Sequence, residues 1–80
     1  MNIVLIGYGY WGPNIAKNII LSKNFNLFGI CDVSQDRLNR AKSIYGERTS
    51  YFTDYHDLIA IDEIDAFALA LKNDIGQKVA

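Results

Sequence analysis

The stretch Ile3-Val4-Leu5-Ile6-Gly7-Tyr8-Gly9-Tyr10-Trp11-Gly12-Pro13-Asn14 decides how this chain folds. Its apolar opening reads as a strand, its three glycines as a tight turn, and Pro13 as the first position of a helix, where a missing N–H costs nothing. The G-x-G-x-x-G spacing is a weak signal alone and gains specificity only between a strand and a helix. In that setting each glycine has a task. Gly7 lets the chain leave the strand sharply, Gly9 carries no Cβ to hold a pyrophosphate off the backbone, and Gly12 lets the helix approach the strand. Backbone N–H groups around Tyr10 and Trp11 are expected to point outward at the helix start, where the macrodipole also favours an anion.

A second stretch, Leu27-Phe28-Gly29-Ile30-Cys31, ends in Asp32, twenty positions after Gly12. A dinucleotide fold places an acid there, at the end of its second strand, to accept hydrogen bonds from the adenosine ribose hydroxyls. Such a carboxylate repels a 2′-phosphate, so NAD is favoured over NADP. A basic Arg37 turned toward that phosphate would still admit NADP, while an Arg37 on the outer face of its helix would not.

Composition narrows the classes further. Half of the 80 residues are hydrophobic and the formal charge is −1, with an isoelectric point near 5.6. This gives no basic footprint for nucleic acid. The longest apolar runs are far short of a bilayer span, and the chain enters its first strand at once, so a cytoplasmic protein with no membrane partner is expected. Cys31, the single cysteine, reads as a buried strand residue, and no Cys/His spacing suggests a metal site.

Along the chain, Ile15, Ala16, Ile19 and Ile20 recur at helical spacing, opposite Asn14, Lys17, Asn18 and Ser22. Asn24 and Asn26 mark a turn before the second strand. Ser34 is an N-cap for the next helix, with Leu38, Ala41, Ile44 and Tyr45 as its buried stripe and Asp36, Arg40 and Lys42 toward water. Gly46 closes it. A short third strand follows around Thr49-Ser50-Tyr51-Phe52, and Thr53 or Asp54 caps a short helix through Leu58 and Ile59. Ala66-Phe67-Ala68-Leu69-Ala70-Leu71 is apolar without alternation, as expected of a parallel strand covered on both faces. A last helix begins near Asn73 or Asp74. The alternation implies an α/β fold, a doubly wound parallel sheet ordered 3-2-1-4 with right-handed crossovers.

In that order the fourth strand lies at an open edge, uncharged and free of proline, a state natural sheets avoid. The expectation is therefore that residues 1–80 are the N-terminal part of a larger dinucleotide-binding domain, or else a short product that must associate to cover the edge.

With these residues in view, the chain resembles the N-terminal domain of the glucose-fructose oxidoreductase, inositol dehydrogenase and MocA (Gfo/Idh/MocA) family over nearly all of its length. The most specific part is Gly7-Tyr8-Gly9-Tyr10-Trp11-Gly12-Pro13-Asn14, close to a form common among members acting on nucleotide sugars. Cys31-Asp32-Val33-Ser34 with Arg37 and Ala41, and Tyr55-His56-Asp57-Leu58 with Glu63-Ile64-Asp65-Ala66, extend the likeness. The resemblance implies a parent oxidoreductase that passes a hydride between a sugar or nucleotide-sugar hydroxyl and a nicotinamide cofactor. It implies that Tyr8, Gly9, Tyr10 and Trp11 line the pyrophosphate, that Asp32 holds the adenosine ribose, and that Arg37 lies beside the adenine or ribose. Gly7, Gly12, Ala70 and Leu71 complete the expected cofactor-binding set. NAD is the expected cofactor, with NADP left open, and a homo-oligomer the expected assembly.

Where the family has Thr-Pro after the fourth strand and His four residues beyond the Pro, this chain reads Leu71, Lys72 and Gly76. The family's catalytic lysine, in a Glu-Lys-Pro motif after the fifth strand, and its substrate domain would lie beyond Ala80, so no catalytic residue is assigned; Lys72 reads as a solvated loop lysine. Trp11 either stacks on a ligand or covers the first helix. His56, between Asp54 and Asp57, reads as a solvated helix face, since a metal needs three or four convergent ligands. Two other classes stand beside the enzyme: a nucleotide-binding module with no turnover of its own, and an S-adenosylmethionine methyltransferase. Ile6, where the latter usually carries an acid, disfavours it.

Overall fold

Four strands form one parallel sheet: β1 (Asn2–Ile6), β2 (Asn26–Cys31), β3 (Ser50–Phe52) and β4 (Ala66–Leu69), in the order β3-β2-β1-β4. A computed structural model of the chain describes residues 1–70. Leu71, Lys72, Gly76 and the helix expected near Asn73 or Asp74 lie outside the described residues. The connections run through α1 (Gly12–Leu21), α2 (Gln35–Tyr45) and α3 (His56–Ile59). The α/β class and the 3-2-1-4 order expected from the alternation of elements are those observed.

The central strand β1 is covered on both faces, which is why its sequence is continuously apolar. Ile3 and Leu5 join Leu27 and Ile30 against Ala16 and Ile19 of α1 and Leu38 and Ala41 of α2. Val4 points the other way, with Cys31, Leu58, Phe28 and Phe52. Ser34 caps α2 as expected, its side chain accepting from Arg37 N–H, and Gly46 ends the helix with φ +72°, a conformation that favours glycine. An unforeseen 3-10 turn, Gly46–Arg48, follows.

Several expectations need correction. Ile20 and Ile44 are 50 % and 66 % exposed. Each lies at the margin of a helical stripe whose centre, Ala16 with Ile19 or Leu38 with Ala41, already fills the space over the sheet. α1 begins at Gly12, so Pro13 is its second residue. β3 starts at Ser50, and Thr49 is buried before it, donating its hydroxyl to the Leu27 carbonyl. For α3 the N-cap position falls on Tyr55 with no side-chain cap, and neither Thr53 nor Asp54 occupies it; Asp54, one residue earlier, accepts the His56 N–H at 2.9 Å. Ile59 at its end is exposed. β4 is covered on one face only among the described residues. Ala66 and Ala68 pack toward α1 and α2, while Phe67 and Leu69 on the opposite face are exposed, sharing an open hollow with Leu58 and Ile59 of α3.

Candidate functional site

The carboxyl ends of all four strands are tied together by backbone hydrogen bonds that place their loops side by side. Gly7 N–H donates to the Cys31 carbonyl at 2.7 Å, Asp32 N–H to the Phe52 carbonyl at 2.9 Å, and Ala70 N–H to the Ile6 carbonyl at 2.9 Å. A groove of about 390 Å³ runs over this edge. From the expected set it takes Gly7, Gly9, Tyr10, Asp32, Arg37 and Ala70. The location is the one open α/β sheets use for ligands, beyond the carboxyl ends of the strands at the point where strand order reverses.

Gly7 turns the chain out of β1 with φ +94°, which a side chain would oppose. The N–H groups of Gly9, Tyr10 and Trp11 then donate to no acceptor among the described residues, whereas Gly12 N–H is taken up by the Gly9 carbonyl at 3.3 Å. Three unspent donors at the start of a ten-residue helix suit a phosphate chain. Gly9 leaves them accessible. A Cβ there would lie 3.4 Å from the nearest protein atom, Arg37 Nη1, so the protein's own packing does not forbid a side chain at this position.

Asp32 is 6 % exposed and already engaged within the protein. Its Oδ2 accepts from Tyr8 N–H at 2.7 Å and its Oδ1 from Ser34 N–H at 2.8 Å. The carboxylate therefore staples the glycine loop to the start of α2 before any ligand is considered. Each oxygen retains a second lone pair that can accept from a hydroxyl in the groove. Arg37 Nη1 stands 3.6 Å from Oδ2, and its half-exposed side chain lies over Gly9.

Tyr8, Trp11 and Gly12 do not line this groove. The Tyr8 amide is directed at Asp32, and its ring is buried in the α1–α2 core. There its hydroxyl meets the Tyr45 hydroxyl at 2.8 Å, and burial together with that bond pushes the Tyr8 phenol well above its ordinary range. Gly12 is needed for this arrangement, since a Cβ would come within 3.0 Å of Tyr8 Cδ1. Trp11 is exposed and meets the Tyr10 ring edge-on at 4.9 Å.

Besides the strand-end residues Ile6 and Cys31, three groove residues were not foreseen: Val33, Thr53 and Tyr55. They follow the ends of β2 and β3 at the same sheet edge as Asp32, and that strand-end placement is the signal that could have found them. Cys31 also lines the groove; burial, with Asp32 second, raises its thiol pKa. His56 is exposed, stacked on Tyr55 and 2.8 Å from Asp54 Oδ1. Among the described residues no group of three or more His, Cys, Asp or Glu is placed to hold a metal. No helix there is long and apolar enough to cross a membrane.

Comparison with known proteins gives a consistent picture. The model of an oxidoreductase family with an NAD-binding Rossmann fold (GFO_IDH_MocA) matches residues 1–80. No match is found among curated protein sequences. Among solved structures, a probable dehydrogenase from Thermotoga maritima is similar with TM-score 0.80 and 28 % identity, over 99 % of this chain and 23 % of that one. The WlbA dehydrogenase from Bordetella pertussis, in complex with NADH and UDP-GlcNAcA, is similar with TM-score 0.75 and 27 % identity, over 86 % of this chain and 21 % of that one. A myo-inositol 2-dehydrogenase from Lactobacillus plantarum has TM-score 0.77 and 25 % identity, over 90 % and 21 %. The chain thus spans less than a quarter of the length of the structures it matches.

Proposed function

The chain belongs to the Gfo/Idh/MocA oxidoreductase family, with its NAD-binding Rossmann fold, and from this premise we propose that residues 1–80 are the N-terminal, cofactor-holding part of an NAD-dependent dehydrogenase acting on a sugar or nucleotide-sugar hydroxyl. The observation that carries the reading is the pairing of unspent loop amides with a carboxylate in one groove. Gly9, Tyr10 and Trp11 offer N–H donors to a pyrophosphate, and Asp32 keeps acceptor capacity for ribose hydroxyls. Arg37, Tyr55, Gly7 and Ala70 line the same groove.

The nicotinamide group, when bound, supplies hydride chemistry that no side chain can. The residues of this chain bind and orient. The loop amides hold the anionic middle of the cofactor, and Asp32, itself fixed by two backbone N–H groups, orients the adenosine end without having to be ordered on binding. The sugar or nucleotide-sugar class is supported by the similarity to WlbA and to myo-inositol 2-dehydrogenase. NAD is the preferred cofactor in this reading because of the Asp32 charge. A cytoplasmic setting and a homo-oligomeric state belong to the same proposal. The buried free thiol of Cys31 is compatible with a reducing compartment.

The test is a titration of the protein with NADH, followed by cofactor fluorescence or calorimetry. Saturable binding is expected, and Gly9→Val should abolish it while the circular dichroism spectrum is unchanged, because the protein leaves room for a side chain that a pyrophosphate would not. Undiminished NADH binding by that variant refutes the cradle.

A further inference from the structure

The outer groove between α1 and α2 is both apolar and basic. Two hollows, of about 440 Å³ and 380 Å³, lie along it and share Ile44. Tyr8 lines the first and Tyr45 the second, and their hydroxyls meet at 2.8 Å, so the hollows follow one another along the helix pair. From Arg37 to Tyr45 the groove follows α2 for about 12 Å, at ~1.5 Å of rise per residue. Ile20, Phe25 and Ile44 line it and are left in water. Among the described residues no acid lines either hollow, while Arg40 lines one and Arg48 the other. Neither of these two arginines has a carboxylate within 4.0 Å there.

Charge is divided along the chain in a complementary way. Every Lys and Arg of residues 1–70 falls between Lys17 and Arg48. Residues 54–65 hold Asp54, Asp57, Asp62, Glu63 and Asp65, all exposed, and no Lys or Arg. Asp57, Asp62 and Glu63 meet no cation within 4.0 Å among the described residues. The same stretch presents an apolar group, Ile59 at the end of α3, 74 % exposed. α1 and α2 pack on one face of the sheet and α3 on the other. The basic groove and the acidic segment therefore cannot meet within one molecule.

We propose that the α1–α2 groove is a docking surface for a second copy of this chain, which seats its acidic segment 54–65 there. Ile59 of one copy enters among Ile20, Phe25 and Ile44 of the other, and Asp57, Asp62 and Glu63 face Arg40 and Arg48. Burial of the apolar groups supplies affinity, while the arginines, whose planar donors match carboxylates in pairs, fix the register. The contact joins unlike surfaces, so each added copy offers a new groove and a new segment, and growth continues until a ring closes. This gives the proposed homo-oligomeric state a surface, and it makes no use of the dinucleotide reading.

Sedimentation velocity over a range of protein concentrations, at low and at high salt, reads the association. Oligomers are expected at low salt, with affinity falling by about tenfold or more at high salt, where exposed charges are screened. Two charge-reversed variants, Arg40→Glu with Arg48→Glu and Asp62→Lys with Glu63→Lys, should each be monomeric. Mixed in equal amounts they should associate again, because each then offers the other opposite charge at both surfaces. All four positions are exposed, so the variants are expected to fold, and unchanged circular dichroism verifies it. Association undiminished in either variant, or lost in both and not recovered on mixing, overturns this surface and leaves a homo-oligomer built elsewhere. An unaltered protein that stays monomeric overturns the surface and the homo-oligomer together. If that monomer binds poly-L-glutamate and the Arg40→Glu, Arg48→Glu variant does not, the groove takes an acidic partner of another kind. NADH titration of the same samples tests the cofactor reading separately.

Discussion

Asp32 should stabilise the fold as well as hold a ligand, and the two roles can be separated. In Asp32→Ala the buried amide of Tyr8 and the partly buried amide of Ser34 lose the acceptors that lie 2.7 Å and 2.8 Å away. A buried donor left without a partner costs about 1–3 kcal/mol and a partly solvated one less, so the pair costs about 1–4 kcal/mol. That is a large share of the ~5–15 kcal/mol that holds a typical domain together. Asp32→Asn keeps one carbonyl oxygen and turns an NH2 group toward the other donor, so it should fall between Ala and wild type. Arg37→Ala is the control. Its guanidinium is half exposed and 3.6 Å from Asp32 Oδ2, a screened contact worth about 0–1 kcal/mol. Urea unfolding followed by far-ultraviolet circular dichroism reads all three, as shifts in midpoint at constant m-value. A midpoint for Asp32→Ala corresponding to less than about 0.5 kcal/mol of destabilisation would refute the staple, leaving Asp32 a ligand-binding residue only.

Three further outcomes are expected. Gly29→Ala places a Cβ 2.8 Å from Phe52 Cε2 and 3.0 Å from the Ser50 carbonyl oxygen; the backbone atom cannot give way, and a lowered melting temperature reflecting about 1–3 kcal/mol should result. Leu38→Ala in the α2 core should cost about 2–5 kcal/mol, whereas Ile44→Lys should stay within about 0.5 kcal/mol in the same denaturation assay. Burial, aided for Tyr8 by the Tyr45 hydrogen bond, raises the pKa values of Cys31, Tyr8 and Tyr51 above ordinary values of 9.0, 10.0 and 10.0. The unfolded chain gives up these protons first as pH rises, so their contribution is whole below pH ~9 and declines above it. Urea midpoints at neutral and at alkaline pH check this, and Tyr8→Phe should flatten the alkaline decline.

Local sterics and periodicity made much of this protein legible before its structure. The strand-turn-helix opening, the cap at Ser34, the positive-φ turn at Gly46 and the order of four parallel strands all follow from neighbours close in sequence or from chirality. The apolar run of β1 likewise announces a strand, whereas the both-faces burial expected of Ala66–Leu71 is met on one face only among the described residues. What periodicity could not weigh was competition for a limited covered area: Ile20 and Ile44 satisfy the helical spacing and are still left in water, and Phe67 and Leu69 of β4 stay exposed. The site divides in the same way. Gly7, Gly9 and Asp32 could be located from spacing alone, but the Tyr8 amide spends itself on Asp32 and the Tyr8 hydroxyl on Tyr45. Those outcomes depend on segments 24 or more residues apart meeting at one sheet edge. A carboxylate's chemistry is written in its residue type; which donors reach it is decided only when distant loops are brought together.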